Sequence, residues 1–202
     1  ISKNHGFSTF ETEKDIKKMS SSFYSDREII VTVELLPSNG SNSKKVKIST
    51  YDNTNKEDIQ NVTYFLAISK NNENLLREYF FAKDGILTFD VFPKDSNQVQ
   101  VLGEQQYDHN AYVMSDVIPL QVEGPIFFKD GTYAFDIELR TIDDPKNWVF
   151  SLSGFHSEII IGKDITFEET FTTNKSSLQT EDFFREIFSY YKTPILLNEI
   201  FK

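Results

Sequence analysis

Between Gly131 and Thr141 the chain reads GTYAFDIELRT, and its side chains change character at every step. Tyr133, Phe135, Ile137, Leu139 and Thr141 fall on one side, and Ala134, Asp136, Glu138 and Arg140 on the other. Successive side chains of a strand point to opposite faces, so the run predicts an extended strand with one buried and one wet face. A helix, with its period of 3.6, would scatter both sets around its axis.

The same two-residue period recurs along the chain. EIIVTVELL alternates from Glu28 to Leu36 and stops at Pro37, and KVKISTY sets Val46, Ile48 and Thr50 on one face. NVTYFLAIS places Val62, Tyr64, Leu66 and Ile68 together, with Phe65 and Ala67 opposite, as expected of a central strand covered on both sides. LLREYFFA and ILTFDVFP flank Lys83-Asp84-Gly85, a hairpin signal. IPLQVEGP reads as the partner of GTYAFDIELRTID, and NQVQVLG, SEIIIG and DITFEETF add shorter strands. Roughly nine or ten strands spaced by turn residues predict a mainly β chain. The expected architecture is an antiparallel β-sandwich, immunoglobulin/cupredoxin-like, with a C-terminal α-helical appendage.

Three segments follow from this pattern: an N-terminal polar arm over residues 1–26, the β-sandwich over 27–171, and a linker with a helical segment over 172–202. In the arm, ETEKDIKKM suits a helical turn and SSSFYSD a connector. At the other end Thr180 is a plausible N-cap, and Phe183, Phe184, Ile187, Phe188 and Tyr191 follow at helical spacing. Such an apolar face needs a cover, and these residues are expected to contact a partner or the chain's own sheet.

Composition narrows the function classes. A net charge of −10 and a pI near 4.8 argue against nucleic acid, which calls for a basic stripe. Cysteine is absent, which excludes disulfides, thiolate nucleophiles and Cys-type zinc sites. No run of about 18 apolar residues occurs, so at most peripheral membrane association is expected. The sequence begins at Ile1, as expected of a mature or trimmed chain whose signal peptide has been removed.

Few residues suit catalysis. The three histidines, His5, His109 and His156, have no Gly-x-Ser-x-Gly elbow, phosphate loop or dinucleotide fingerprint beside them, so no catalytic residue and no cofactor are expected. No metal is expected either; the candidates to weigh are His109, Met114 and His156 for copper, and Asp143, Asp144 and Asn147 in TIDDPKN for calcium. The same acidic run is also ordinary turn chemistry. Tyr79, Phe81, Phe127 and Trp148 are the aromatics that a carbohydrate-binding sheet face would use, if they do not simply fill the core. Asn39, Asn61 and Asn174 open Asn-x-Ser/Thr triplets and are candidate glycan acceptors.

The stretch VEGPIFFKDGTYAFDIELRTID, with VTYFLAISKNNENLLREYFFAKDGILTFDVFP before it, resembles secreted β-sandwich envelope proteins of ammonia-oxidising (thaumarchaeal) archaea, many of which carry a PEFG-type C-terminal sorting signal. The likeness spans roughly residues 62–162. The hydrophobic tail of that signal does not appear in this sequence. Where related sequences and the soluble subunit of archaeal ammonia monooxygenase tend to read Gly-x-Tyr-His-x-His, this chain has Gly131, Thr132, Tyr133, Ala134, Phe135 and Asp136. The resemblance implies a secreted, extracellular protein of the cell envelope, and Ala134 and Asp136 point away from a copper role.

The expectation is therefore a non-enzymatic extracytoplasmic binding or structural module of an archaeal cell envelope. It would bind a protein partner or self-assemble at the cell surface, as an accessory component of a larger membrane-associated assembly. The alternatives are a copper-binding subunit related to monooxygenase soluble domains and a carbohydrate-binding domain.

Overall fold

The structure, a computed structural model of the chain, describes residues 16–37, 43–106, 110–115, 118–149, 154–162 and 171–173, the last by their backbone. The elements in it are β1 (Ile16–Tyr24), β2 (Arg27–Pro37), β3 (Lys44–Asp52), β4 (Glu57–Asp58), β5 (Val62–Lys70), β6 (Glu73–Ala82) and β7 (Ile86–Pro93). They continue with β8 (Gln100–Leu102), β9 (Glu104–Gln106), β10 (Ala111–Val113), β11 (Gln121–Gly124), β12 (Gly131–Thr141), β13 (Phe155–Ile161) and β14 (Phe171–Thr173). Sheet I has eight strands in the order β14-β1-β2-β3-β7-β11-β8, with β4 on β3; sheet II has six, β13-β12-β5-β6-β10-β9. The chain is mainly β, and no helix occurs among the described residues.

The alternation read from the sequence sets which faces are buried. Tyr133, Phe135, Ile137 and Leu139 of β12 and Val62, Tyr64, Leu66 and Ile68 of β5 are buried, as are Ile29, Val31, Val33 and Leu35 of β2 and Val46 and Ile48 of β3. All belong to one core cluster shared by the two sheets. A side chain of this kind contributes about 1.5–3 kcal/mol when fully buried. One polar link also crosses the core: the Tyr64 hydroxyl lies 2.5 Å from Thr50 Oγ1 and donates to the Gly85 carbonyl at 2.7 Å. Burial raises the Tyr64 pKa, so the phenol stays a neutral donor.

Four expectations are corrected. The sheets are mixed rather than antiparallel, since β1/β14, β6/β10 and β7/β11 run parallel. LLREYFFA and ILTFDVFP do not form a hairpin: β6 lies in sheet II, β7 in sheet I, and Lys83-Asp84-Gly85 turns the corner between them. Gly85 is required at that corner, with φ of 74° and the Ile59 carbonyl oxygen 1.7 Å from where a Cβ would sit. β11 and β12 are likewise in different sheets. Finally, residues 16–24 of the expected polar arm form β1, paired with β2 from Ile16↔Leu35 to Tyr24↔Arg27. Ser20, Ser21 and Ser22 are buried there, where small side chains fit without an apolar period to announce them.

The hairpin between β5 and β6 turns at Asn71 and Asn72, whose φ values of 50° and 64° suit the type I′ turn that matches strand twist. The expected helix with Phe183, Phe184, Ile187, Phe188 and Tyr191 lies outside the described residues, as do Asn39, Asn174, His5 and His109.

Candidate functional site

The outward face of sheet II carries a cluster that the strand registers assemble. Glu138 of β12 stands opposite Phe65 of β5, and Phe65 opposite Tyr79 of β6. In the next row Asp136 faces Ala67, Ala67 faces Arg77, and on the other side Asp136 faces His156 of β13. The Phe65 and Tyr79 rings lie 5.0 Å apart, and the Trp148 ring meets Tyr79 edge-on at 6.3 Å. Trp148 is 46% exposed, a large apolar surface left in water.

Two guanidinium groups frame the rings. Arg77 lies 5.4 Å and Arg140 5.7 Å from the Phe65 ring centre, within cation–π range. Arg140 follows the alternation of β12 onto the same face as Glu138, next to a point where the β12–β5 register slips between Leu139 and Thr141. Its Nη2 pairs with Glu138, while its Nε is buried without a hydrogen-bond partner. Arg77 is exposed and has no carboxylate partner among the described residues.

The loop that presents Trp148 is held from several sides. Asp143, at φ of 63°, accepts Arg27 Nη1 on Oδ2 at 2.6 Å, donates its N–H to the Gln60 carbonyl at 2.7 Å, and accepts Asn61 Nδ2 on its own carbonyl at 3.0 Å. Asp144 Oδ1 accepts the Lys146 N–H at 2.9 Å, an Asx turn, and the Asn147 N–H bonds the Asp144 carbonyl at 3.2 Å. The Val149 N–H donates to the Arg140 carbonyl at 2.7 Å. Of the candidates weighed for calcium, Asp143 and Asp144 each engage one carboxylate oxygen, and Asn147 its backbone N–H, in fixing the turn before Trp148. Arg27 also donates Nε to the buried Asp52 at 2.6 Å. Burial works to raise the Asp52 pKa, but donors from Asn55, Arg27 and Thr54 outweigh it and hold the carboxyl below its usual range.

Beside the cluster, His156 Nδ1 lies 2.7 Å from Asp136 Oδ1 and Nε2 lies 3.6 Å from Glu158 Oε1. The hydrogen bond to Asp136 raises the His156 pKa against partial burial, and Glu158 adds to the rise. Met114 and His156, both weighed for copper, are not brought together. Met114 follows β10 and accepts the Thr88 N–H on Sδ at 3.1 Å, whereas His156 sits on β13. Four strand spacings separate β10 from β13, roughly 19 Å. Among the described residues no group of three or more His, Asp or Glu is arranged to hold a metal.

Of the four aromatics picked from the sequence, Tyr79 and Trp148 share this face, whereas Phe81 and Phe127 are each only 6% exposed. Phe127 adopts φ of 61°, a strained conformation for a bulky residue, and packs 5.0 Å from the Tyr133 ring. Phe65, Arg77 and Arg140 escaped the sequence reading; the signal was the second face of β5, read as covered. Asn61 donates Nδ2 to the Asp143 carbonyl at 3.0 Å, and the Thr63 hydroxyl of its triplet is buried 2.8 Å from Thr141 Oγ1.

An exposed indole set edge-on to a half-buried ring pair and edged by donors and carboxylates suits noncovalent recognition by apolar contact and hydrogen bonding. No family model, no curated protein and no solved structure matches the chain.

Proposed function

We propose that the chain is a non-enzymatic binding module of an archaeal cell envelope, working outside the cytoplasm, with the outer face of sheet II as its contact surface. The finer architecture we assign is a sandwich of immunoglobulin or cupredoxin type, supported by two sheets sharing one core. The observation that carries the binding role is Trp148, 46% exposed yet fixed edge-on to Tyr79 by a tightly tied loop. A mobile indole would lose entropy on contact; a preset one loses little. The envelope setting is supported by the resemblance over roughly residues 62–162, and a role as an accessory component of a larger surface assembly rests on the same likeness.

Co-sedimentation with envelope fragments of the source cells tests this reading. The purified chain should pellet with the fragments, and Tyr79→Ala should release it while leaving the unfolding midpoint close to wild type. Equal pelleting of both proteins, or none of either, would remove sheet II from the role.

A further inference from the structure

We infer that the sheet II face takes a neutral oligosaccharide, an inference that rests on the binding role proposed above and names its ligand class. Three features point to sugar rather than to a protein or a charged polymer. First, the rings of Trp148, Tyr79 and Phe65 follow one another at 6.3 and 5.0 Å, inclined by 67° and 48°, with Trp148 the exposed ring and Phe65 flanked by Arg77 and Arg140. The C–H faces of a pyranose are apolar and cover such rings well, and the exposed indole is the largest of them.

Second, the polar groups beside the rings come in both senses. Arg77 is exposed with no carboxylate partner among the described residues, and beside it the Arg140 guanidinium is paired through Nη2 with the acceptor Glu138. Each sugar hydroxyl both donates and accepts, so adjacent hydroxyls match a guanidinium lying beside a carboxylate. An apolar peptide would leave these groups desolvated and unsatisfied, at a cost in affinity.

Third, charge rules on the rest. Asp136, Glu138 and Glu158 share the face with Arg77, Arg140 and His156, so it is locally near balance, and the chain's net charge of −10 works against a polyanionic glycan. Neutral sugars are indifferent to that field.

Trp148 is the single tryptophan of the chain, so tryptophan emission, excited selectively over the nine tyrosines, reports on this face alone. Neutral gluco-, manno- and galacto-oligosaccharides, and uronic-acid oligomers of the same length, should be titrated into the intact chain, with Tyr79→Ala and Arg77→Ala run alongside. At least one neutral series is expected to give a saturable blue shift that tightens with chain length and weakens about tenfold in each variant. The uronic-acid oligomers should bind more weakly than the matching neutral ones. A preference for the acidic oligomers would overturn the charge argument. No shift with any sugar, while envelope fragments still pellet the wild type and not Tyr79→Ala, would overturn the sugar class and leave the binding face standing. No shift together with no difference in pelleting would remove both.

Discussion

The outward faces of the two sheets are built differently although their inward faces are equally apolar. On sheet I, Lys17, Glu34 and Lys47 form a row across β1, β2 and β3, with nitrogen–oxygen separations of 3.5 and 3.0 Å, and Lys45 faces Asp90 of β7 at 3.7 Å. Such surface pairs, with lysines more exposed than their carboxylate partners, are each worth about 0–1 kcal/mol and keep a sheet face polar. On sheet II the corresponding middle rows hold Phe65, Tyr79, Arg77 and Arg140, with Trp148 alongside. Nothing in the core requires that difference. Charge ladders leave a face inert, whereas preset rings with unspent donors make it ready for contact.

The strongest challenge to the comparison is aimed at the core both faces share. Phe135→Ala removes a fully buried ring that packs near Phe127 and should destabilise the chain by about 3–5 kcal/mol in urea unfolding. A loss below about 1 kcal/mol would mean that the inner faces are not packed as described.

Arg27→Ala comes next, with an expected loss of about 3 kcal/mol, because it leaves the buried Asp52 without its cation. Three donors from Thr54 and Asn55 remain on Asp52 and limit the damage. The pH dependence has a definite sign. Asp52 has a folded pKa held below the unfolded value of about 3.9, so its contribution is present above that pH and is lost as pH falls through the folded pKa. Acid unfolding curves should show this decline in the wild type and a shallower one in the variant.

On the wet faces the expected effects shrink. Lys47→Ala should change stability by about 0.5 kcal/mol or less and leave envelope binding unaltered. Loss of binding in that variant would make sheet I the contact face. His156 supplies a smaller marker on sheet II: its folded pKa is raised, so its stabilising contribution is full below the unfolded value of about 6.5 and fades as pH rises through the folded one. An NMR titration of His156 should give a midpoint above that reference, and Asp136→Asn should lower it.

The alternating runs made the buried faces of β2, β3, β5 and β12 legible, because period two is a local property that burial enforces directly. Sheet membership was not legible. Asp84-Gly85 marks a tight turn whether the chain folds back on the same sheet or crosses to the other, so the turn residues alone could not place β7. β1 was hidden because Ser20, Ser21 and Ser22 fill a buried strand without an apolar period. The site was half legible: Trp148 and Tyr79 stand out by type, but Phe65, Arg77 and Arg140 join them only through cross-strand register. Phe81 and Phe127 fill the core, the alternative open to them in the sequence, because aromatic type says nothing of which way a loop or edge turns.

The most direct test of the contrast between the faces is amide chemical-shift mapping of the isotopically labelled chain during titration with envelope fragments solubilised to small size. Shifts are expected to concentrate at Phe65, Arg77, Tyr79 and the Trp148 indole, while Glu34, Lys45 and Lys47 stay unmoved. Shifts confined to Glu34, Lys45 and Lys47, with Trp148 unperturbed, would contradict that contrast.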